Sequence, residues 1–202
     1  MVFGRKKPGD DREEGKEASL RDTYLAALEA QREEKDHFFA HHGHSPIPPE
    51  ERETFEELRY WPPAAAYQQV VPLEESEPTR ITFQTSTGDE QSYTRIGTVT
   101  FSAEGEMAQL AVYEDEEGGL FLPFRDATSG DESYGAGRYL EPIRLHNGDI
   151  LLDFNLAYNP FCAYAPEYIC PLPPLENWLK VPIRAGEKDY KPEPFDPADD
   201  TA

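Results

Sequence analysis

Residues 138 to 157 read RYLEPIRLHNGDILLDFNLA, and this stretch predicts a β-hairpin. Asn147-Gly148 lies near its centre and is the strongest short signal for a two-residue type I′ turn, in which both central residues have positive φ. With that turn, His146 pairs with Asp149. Because side chains alternate between the two faces of a strand, this register predicts which residues face the core.

The predicted core face contains mostly apolar residues, namely Tyr139, Glu141, Ile143, Leu145, Ile150, Leu152, Phe154 and Leu156. The opposite face contains Arg138, Arg144, Asp153 and Asn155, with Arg138 diagonal to Asn155 and Arg144 diagonal to Asp153. Diagonal neighbours lie about 7–8 Å apart, within reach of long side chains. This face is either solvated and internally paired, or it lines a ligand pocket.

Short β-branched and aromatic runs broken by turn residues surround this hairpin. The predicted strands are 67–73, 79–85, 91–101, 107–113, 119–124, 137–145 and 150–156. Turns are expected at Thr87-Gly88, Glu104-Gly105 and Gly118-Gly119. The pattern predicts a mainly β (α+β) fold in which an antiparallel meander forms a small barrel or sandwich, with two N-terminal helices packed against it.

The remaining segments define one predicted domain, 17–188. Apolar residues at helical spacing predict a helix over 18–42, and a proline at the first turn predicts a second over 49–59. The rest of the domain, 67–188, is expected to be β-rich. The tails 1–16 and 189–202 are polar and without periodicity, and we expect both to be disordered.

The chain is strongly acidic, with 40 Asp and Glu against 19 Lys and Arg and a formal net charge of −21 over 202 residues. Such a surface suits concentrated salt, which screens self-repulsion, so we expect a halophilic protein. A binder of nucleic acid or of an anionic membrane needs a basic surface, and none is present. With no apolar run long enough for a membrane span or signal peptide, we expect a cytoplasmic protein.

Residues 121–183 are less acidic and more aromatic than the rest of the chain, which places the expected site there. The leading hypothesis is a pocket for a small polar or anionic ligand, lined by the long loop 124–138 and the proline-rich segment 153–177. Arg138 would supply a bidentate charge, whereas Asp153, Asn155, Asn159 and Glu176 would supply hydrogen bonds. The walls would be Tyr134, Tyr158 and Tyr164.

Two alternatives of other classes stay open. A hydrolase would use Asp126 or Asp153 as a general base, with or without a metal at Cys162 and Cys170. These cysteines are eight residues apart, which is not zinc-knuckle spacing, so buried thiols are the simpler interpretation and a redox pair or a disulfide a further one. An interaction module would instead expose the aromatic segment 158–178. The sequence indicates neither a cofactor nor an oligomeric state.

The order of several motifs resembles the uncharacterised prokaryotic family DUF1684, over about residues 36–188. The motifs are FLPFRDATSG (121–130), YGAGRYL (134–140), LDFNLAYNPFCAY (152–164), CPLPPLEN (170–177) and IRAGEK (183–188). Ala136 stands where the family pattern has glycine, and Trp61 where it has phenylalanine. The resemblance implies no reaction, cofactor or catalytic residue, and it supports only the location of the site.

Overall fold

The computed structural model describes residues 10–86 and 88–190. Helix α1 spans Asp10–His41, so it begins eight residues before the predicted start, and residues 10–16, which we expected to be disordered, are helical. Residues 1–9 and 191–202 of the predicted tails lie outside the described range. Asp189 and Tyr190, the first two residues of the predicted C-terminal tail, lie within it. No helix within the described residues is long and apolar enough to cross a membrane.

One face of α1 packs along the segment that follows the last strand. Tyr24, Arg32, Lys35 and Phe39 recur at spacings of three, four and eight, which places them on a single helix face. Tyr24 contacts Asp153 and Arg32 contacts Asn155. Further along the helix, Lys35 contacts Glu187 and Phe39 contacts Tyr164. This helix face therefore forms one wall of any site at the end of that strand.

Helix α2 is much shorter than predicted, spanning Pro49–Arg52 only. The prediction of helix to residue 59 is wrong because the following backbone binds α1 instead of continuing its own ladder. The Leu58 amide donates to Asp36 Oδ1 at 2.9 Å. The Arg52 guanidinium donates to the carbonyls of His42, Ser45 and Ile47, which further fixes the connection between the two helices.

Within the described residues, eight strands form two antiparallel sheets. The five-stranded sheet has the order β2 (Leu73–Gln84), β3 (Glu90–Ala103), β4 (Glu106–Glu114), β5 (Leu120–Phe124) and β6 (Arg138–Leu140). The three-stranded sheet has the order β1 (Gln68–Val71), β8 (Ile150–Asp153) and β7 (Ile143–Arg144). The predicted mainly β, α+β fold is confirmed as a sandwich-like arrangement, and no closed barrel forms among the described residues.

The strand predicted over 137–145 is two strands in different sheets, β6 and β7. Glu141-Pro142 separates them, and proline lacks the N–H that would continue a ladder. As a result Arg138 pairs with Phe124 of β5, whereas Arg144 pairs with Ile150 of β8. Arg138 and Asp153 therefore do not share the face of one hairpin.

The predicted register of the Asn147-Gly148 hairpin is also wrong, by one residue. Leu145 and Asp149 close the loop through the Leu145 amide, which donates to the Asp149 carbonyl at 2.8 Å, so the turn holds three residues. Gly148 has φ of +90°, but Asn147 does not have positive φ, as a type I′ turn would require. Ile143 consequently faces solvent, although we expected it in the core.

The main core lies between the two sheets and is built by alternating apolar residues of both. Its fully buried side chains include Val99, Phe101, Leu110, Val112, Leu122, Phe124, Leu140, Ile150, Leu152 and Phe154. A second cluster, Phe83, Tyr113, Phe121 and Tyr139, covers the opposite face of the five-stranded sheet. A third packs under the end of α1 and includes Phe39, Ile47, Leu58 and Tyr164.

Candidate functional site

Arg138, the predicted charged ligand of the pocket, is fully buried. Its guanidinium donates to the carbonyls of Ile183, Ala185 and Glu187 at 2.7, 2.5 and 3.0 Å, and to Asp126 Oδ2 at 3.2 Å. These partners occupy both terminal nitrogens. Its Nε has no partner among the described residues, but the whole side chain is buried. Arg138 therefore ties the C-terminal segment to the five-stranded sheet and is closed to a molecule that arrives from solvent.

Asp126, a candidate general base, is equally engaged. Its carboxylate accepts hydrogen bonds from Thr128 Oγ1 at 2.7 Å, from the Ile183 amide and from Arg138. Thr128 in turn shares a hydrogen bond with Ser133 at 2.8 Å. The hydroxyl-rich loop 124–138 thus satisfies its own polar groups, and Asp126 serves as its internal anchor.

Asp153 and Asn155 lie in a different place, at the end of β8 beside α1. The Asp153 carboxylate accepts from Tyr24 Oη at 2.7 Å, from Gln68 Nε2 at 2.8 Å and from the Asn155 side chain at 2.9 Å. Burial, followed by the Asp153 hydrogen bond and charge, raises the pKa of Tyr24 far above its ordinary value. The Asn155 side chain also bridges both backbone polar groups of Ala64.

The predicted residues Asn159 and Tyr164 meet at a residue that the sequence did not indicate, Glu187. Its side chain is 2% exposed and accepts hydrogen bonds from the backbone amide of Asn159 at 2.8 Å and from Tyr164 Oη at 2.7 Å. Lys35 of α1 forms a salt bridge with the same carboxylate. One buried acid thus joins the helix, the segment after β8 and the C-terminal segment.

Beside Glu187 a cavity of about 100 Å³ lies between α1 and the segment after β8. We call it the Arg32 cleft. It is lined by Leu28, Gln31, Arg32, Lys35, Tyr60, Asn155, Leu156, Ala157, Tyr158 and Glu187. The Lys35 side chain is 27% exposed, so the cleft is accessible from solvent.

The two cations of the cleft lie against aromatic rings. The Arg32 guanidinium carbon is 4.2 Å from the centre of the Tyr60 ring, and Lys35 Nζ is 5.3 Å from that of Tyr158. Arg32 also donates to the carbonyls of Trp61 and Asn155 at 3.3 and 3.4 Å. Its Nε is buried, and no acceptor among the described residues lies within hydrogen-bonding distance of it.

The two tyrosines stay protonated and neutral. Burial, and then the charge of Glu187, raises the pKa of Tyr60 far above its ordinary value, and burial with the Glu141 hydrogen bond does the same for Tyr158. Burial lowers the pKa of Arg32, but an arginine keeps its charge in proteins. The charged groups at the cleft are therefore Arg32, Lys35 and Glu187.

The other predicted site residues lie outside this cleft. Glu176 accepts hydrogen bonds from Tyr113 and Arg95 of the five-stranded sheet. Tyr134 contacts Cys162, and both cysteines are free thiols. In residues 10–86 and 88–190 no group of three or more His, Cys, Asp or Glu side chains is placed to hold a metal ion.

Fold and cleft together define an acidic, sandwich-like α+β domain with a partly enclosed cleft beside its long helix, in which charged groups lie among apolar and aromatic walls. The chain belongs to the family DUF1684, described as a protein of unknown function, whose model matches residues 53–188. This range includes Tyr158 and Glu187 but not α1. An uncharacterised protein of Haloarcula marismortui, solved in solution by NMR, is similar at 43% identity over 84% of this chain and 96% of that chain, with a TM-score of 0.63. No curated protein matches the chain.

Proposed function

We propose that the protein binds a small anion, or the anionic group of a larger molecule, in the Arg32 cleft. The observation that carries this proposal is the buried Arg32 Nε, whose N–H has no acceptor among the described residues. An unpaired buried donor is costly, and the loss is larger for a charged group. A carboxylate or phosphate oxygen in the cleft would satisfy it and would add a charge-assisted hydrogen bond.

Charge supports an anionic ligand. The chain as a whole carries −21, yet its cleft combines two cations, Arg32 and Lys35, with one acid, Glu187. The local balance is thus positive within a negative molecule. Partly buried charges are screened much less than exposed ones, so this attraction persists in concentrated salt.

The size of the cleft limits the part of a ligand that it can hold. At about 100 Å³ the cavity has room for a few water molecules, each of which occupies about 30 Å³ in the liquid. That volume suits a carboxylate-sized or phosphate-sized group and is below the roughly 300 Å³ at which drug-sized pockets begin. Any larger remainder of the ligand would extend past Lys35 into solvent.

The proposed site keeps part of the predicted one and moves the rest. Asn155 and Tyr158 line the cleft, and Asn159 and Tyr164 hold Glu187 in place behind it. Helix α1 takes the place of the 124–138 loop as the other wall. Arg32 takes the role that we expected of Arg138.

Replacing Arg32 with methionine should weaken anion binding by about 10-fold to 100-fold, because a hydrogen bond to a charged group contributes about 1.5–3 kcal/mol. Acetate, malonate and inorganic phosphate would be titrated into the full chain in high salt, with the ¹⁵N shift of Arg32 Nε as the local readout. The matched control is Arg21→Met, which removes the same charge from an exposed position of the same helix. Equal affinity in Arg32→Met and Arg21→Met, or no shift with any of the three anions, would contradict the proposal.

Two other functions stay predictions. The hydrolase would need a free carboxylate base, and both candidates, Asp126 and Asp153, are occupied by internal donors. The interaction module is favoured by one observation, the large apolar side chains that segment 158–178 leaves exposed. They are Phe161, Ile169, Leu172, Leu175 and Trp178.

We also propose that the protein is adapted to concentrated salt, as its acidic surface indicates. Raising KCl from about 0.1 M to 1 M shortens the Debye length from about 10 Å to about 3 Å and removes most repulsion between exposed acids. The midpoint of thermal unfolding should therefore rise steeply over this interval and level off above it. A midpoint that stays constant or falls as KCl is raised would contradict the proposed adaptation to salt.

A further inference from the structure

Cys162 and Cys170 are adjacent in space although they are eight residues apart in the chain. The Cys162 amide donates a hydrogen bond to Cys170 Sγ at 3.3 Å. Adding one N–Cα bond places the Cys162 Cα within about 5 Å of that sulfur. In a disulfide the Cα of one residue is three bonds from the sulfur of the other, so this separation is compatible with an S–S bond between the two residues.

The two thiols have different surroundings. Cys162 lies in the one-turn 3-10 helix Phe161–Ala163 and is partly exposed. Tyr134 Oη lies 3.7 Å from its sulfur. Cys170 is buried, and its backbone is held by Ser86 through two hydrogen bonds, of 3.0 and 3.2 Å. One thiol is therefore open to a reagent, and the other is held behind it.

We propose that Cys162 and Cys170 form a reversible dithiol–disulfide couple, in which Cys162 attacks a low-molecular-weight disulfide and Cys170 completes the exchange. The Cys162 thiolate attacks one sulfur of the reagent R–S–S–R, which forms a mixed disulfide and releases the first R–SH. The Cys170 sulfur then attacks Cys162 Sγ, which forms the internal disulfide and releases the second R–SH. Two protein thiols are oxidised, one reagent disulfide is reduced, and the two thiol protons leave on the two R–SH molecules.

Electrostatics agree with this order of reaction. A hydrogen bond from the Cys170 thiol lowers the pKa of Cys162 to about 7; burial opposes this effect, and the Tyr134 hydroxyl adds to it. The same contact with Cys162, together with burial, raises the pKa of Cys170. Cys162 is thus the thiol with a substantial thiolate fraction near neutral pH, and the thiolate is the nucleophile.

Neither cysteine lines the Arg32 cleft, so the couple does not require a bound anion. Its place in the fold suggests what oxidation would do. The disulfide would close the loop 162–170, which contains Tyr164 and leads to Pro171, itself paired with Thr85 just after the end of β2. Since the two residues are already in contact, we expect it to form without global rearrangement.

The test equilibrates the full chain with oxidised and reduced glutathione at several ratios, followed by maleimide trapping and mass spectrometry. The wild type should change from two trapped thiols to none without gaining mass from glutathione, and peptide mapping should find Cys162 joined to Cys170. Cys170→Ser should stop at one glutathione adduct on Cys162, whereas Cys162→Ser should stay unmodified. A wild type that keeps both thiols in excess oxidised glutathione, forms only intermolecular dimers, or accumulates adduct on Cys170 overturns the proposal.

The wild type alone gives a second readout, which keeps the test valid if a variant does not fold. At pH 7 a thiol of pKa 7 has about 15 times the thiolate fraction of an ordinary thiol, but the intrinsic nucleophilicity of its thiolate is about fivefold lower. Cys162 should therefore be alkylated by iodoacetamide about threefold faster than an ordinary thiol. The rate should rise with pH through a midpoint near 7. A midpoint at the ordinary thiol value, near 8.5, or faster alkylation of Cys170, contradicts the assigned roles.

Discussion

Replacing Arg138 with methionine should lower the free energy of unfolding by about 3–5 kcal/mol, the usual loss when one partner of a buried ion pair is removed. The variant leaves Asp126 charged in the interior and leaves the carbonyls of Ile183, Ala185 and Glu187 without their donor. Methionine fills much of the volume of the side chain, so the loss reports polar partners more than packing. Urea denaturation in high salt measures it without changing the ionic strength.

The matched control is Arg184→Met. Arg184 also pairs with one acid, through three contacts of 2.7 to 3.1 Å to Glu132, but it does so at the surface. Exposed ion pairs contribute little, because water competes and salt screens. The control should therefore unfold at nearly the wild-type urea midpoint. If both variants lose the same stability, burial is not what gives the Arg138 pair its importance.

A second variant separates the stranded charge from the lost hydrogen bonds. In Arg138→Met with Asp126→Asn the buried negative charge is gone. The single amide oxygen can still accept from the Ile183 amide, and the amide NH2 can donate to Thr128 Oγ1, which then donates to Ser133. We expect the double variant to be more stable than Arg138→Met alone. A further loss would instead mean that Asp126 is well satisfied by its remaining donors.

The sequence predicted the strands well because their evidence is local. Alternating β-branched runs and glycine turns at Glu104-Gly105 and Gly118 need no knowledge of distant residues, and the observed strands follow them. The register of the 138–157 hairpin failed because it depends on a single count. One extra residue in the turn exchanges the two faces of a strand, which is why Ile143 points to solvent.

The Arg32 cleft could be predicted only in part, because it joins residues that are far apart in the chain. Arg32 and Glu187 come from the first helix and the C-terminal segment, and no local pattern links them. A signal was nevertheless present on α1. Leu28, Arg32, Lys35 and Phe39 occupy one helix face, where two cations interrupt an apolar stripe. Cations on a face that packs against the rest of the fold require partners, and Glu187 is one of them.

Gly186 precedes Glu187 in the backbone, and Gly186→Ala should lower the free energy of unfolding by about 2–5 kcal/mol. Gly186 has φ of +76°, a conformation that costs a residue with a Cβ about 1–2 kcal/mol. An added Cβ would also lie 2.4 Å from the Ala157 carbonyl oxygen and 2.8 Å from that of Phe154. Relieving such overlap typically costs a further 1–3 kcal/mol, since backbone atoms must move.

Gly148→Ala is the control that separates these two causes. Gly148 has a similar φ of +90°, but nothing lies within 4 Å of the position that its Cβ would take. It should therefore lose only the conformational part, about 1–2 kcal/mol. The difference between the two variants in urea denaturation then measures the overlap with the segment after β8. Because that segment also lines the Arg32 cleft, Gly186→Ala should weaken anion binding even in the fraction that stays folded, whereas Gly148→Ala should bind as the wild type does. Equal losses of stability, or unchanged anion affinity in folded Gly186→Ala, would mean that the cleft does not depend on this close backbone contact.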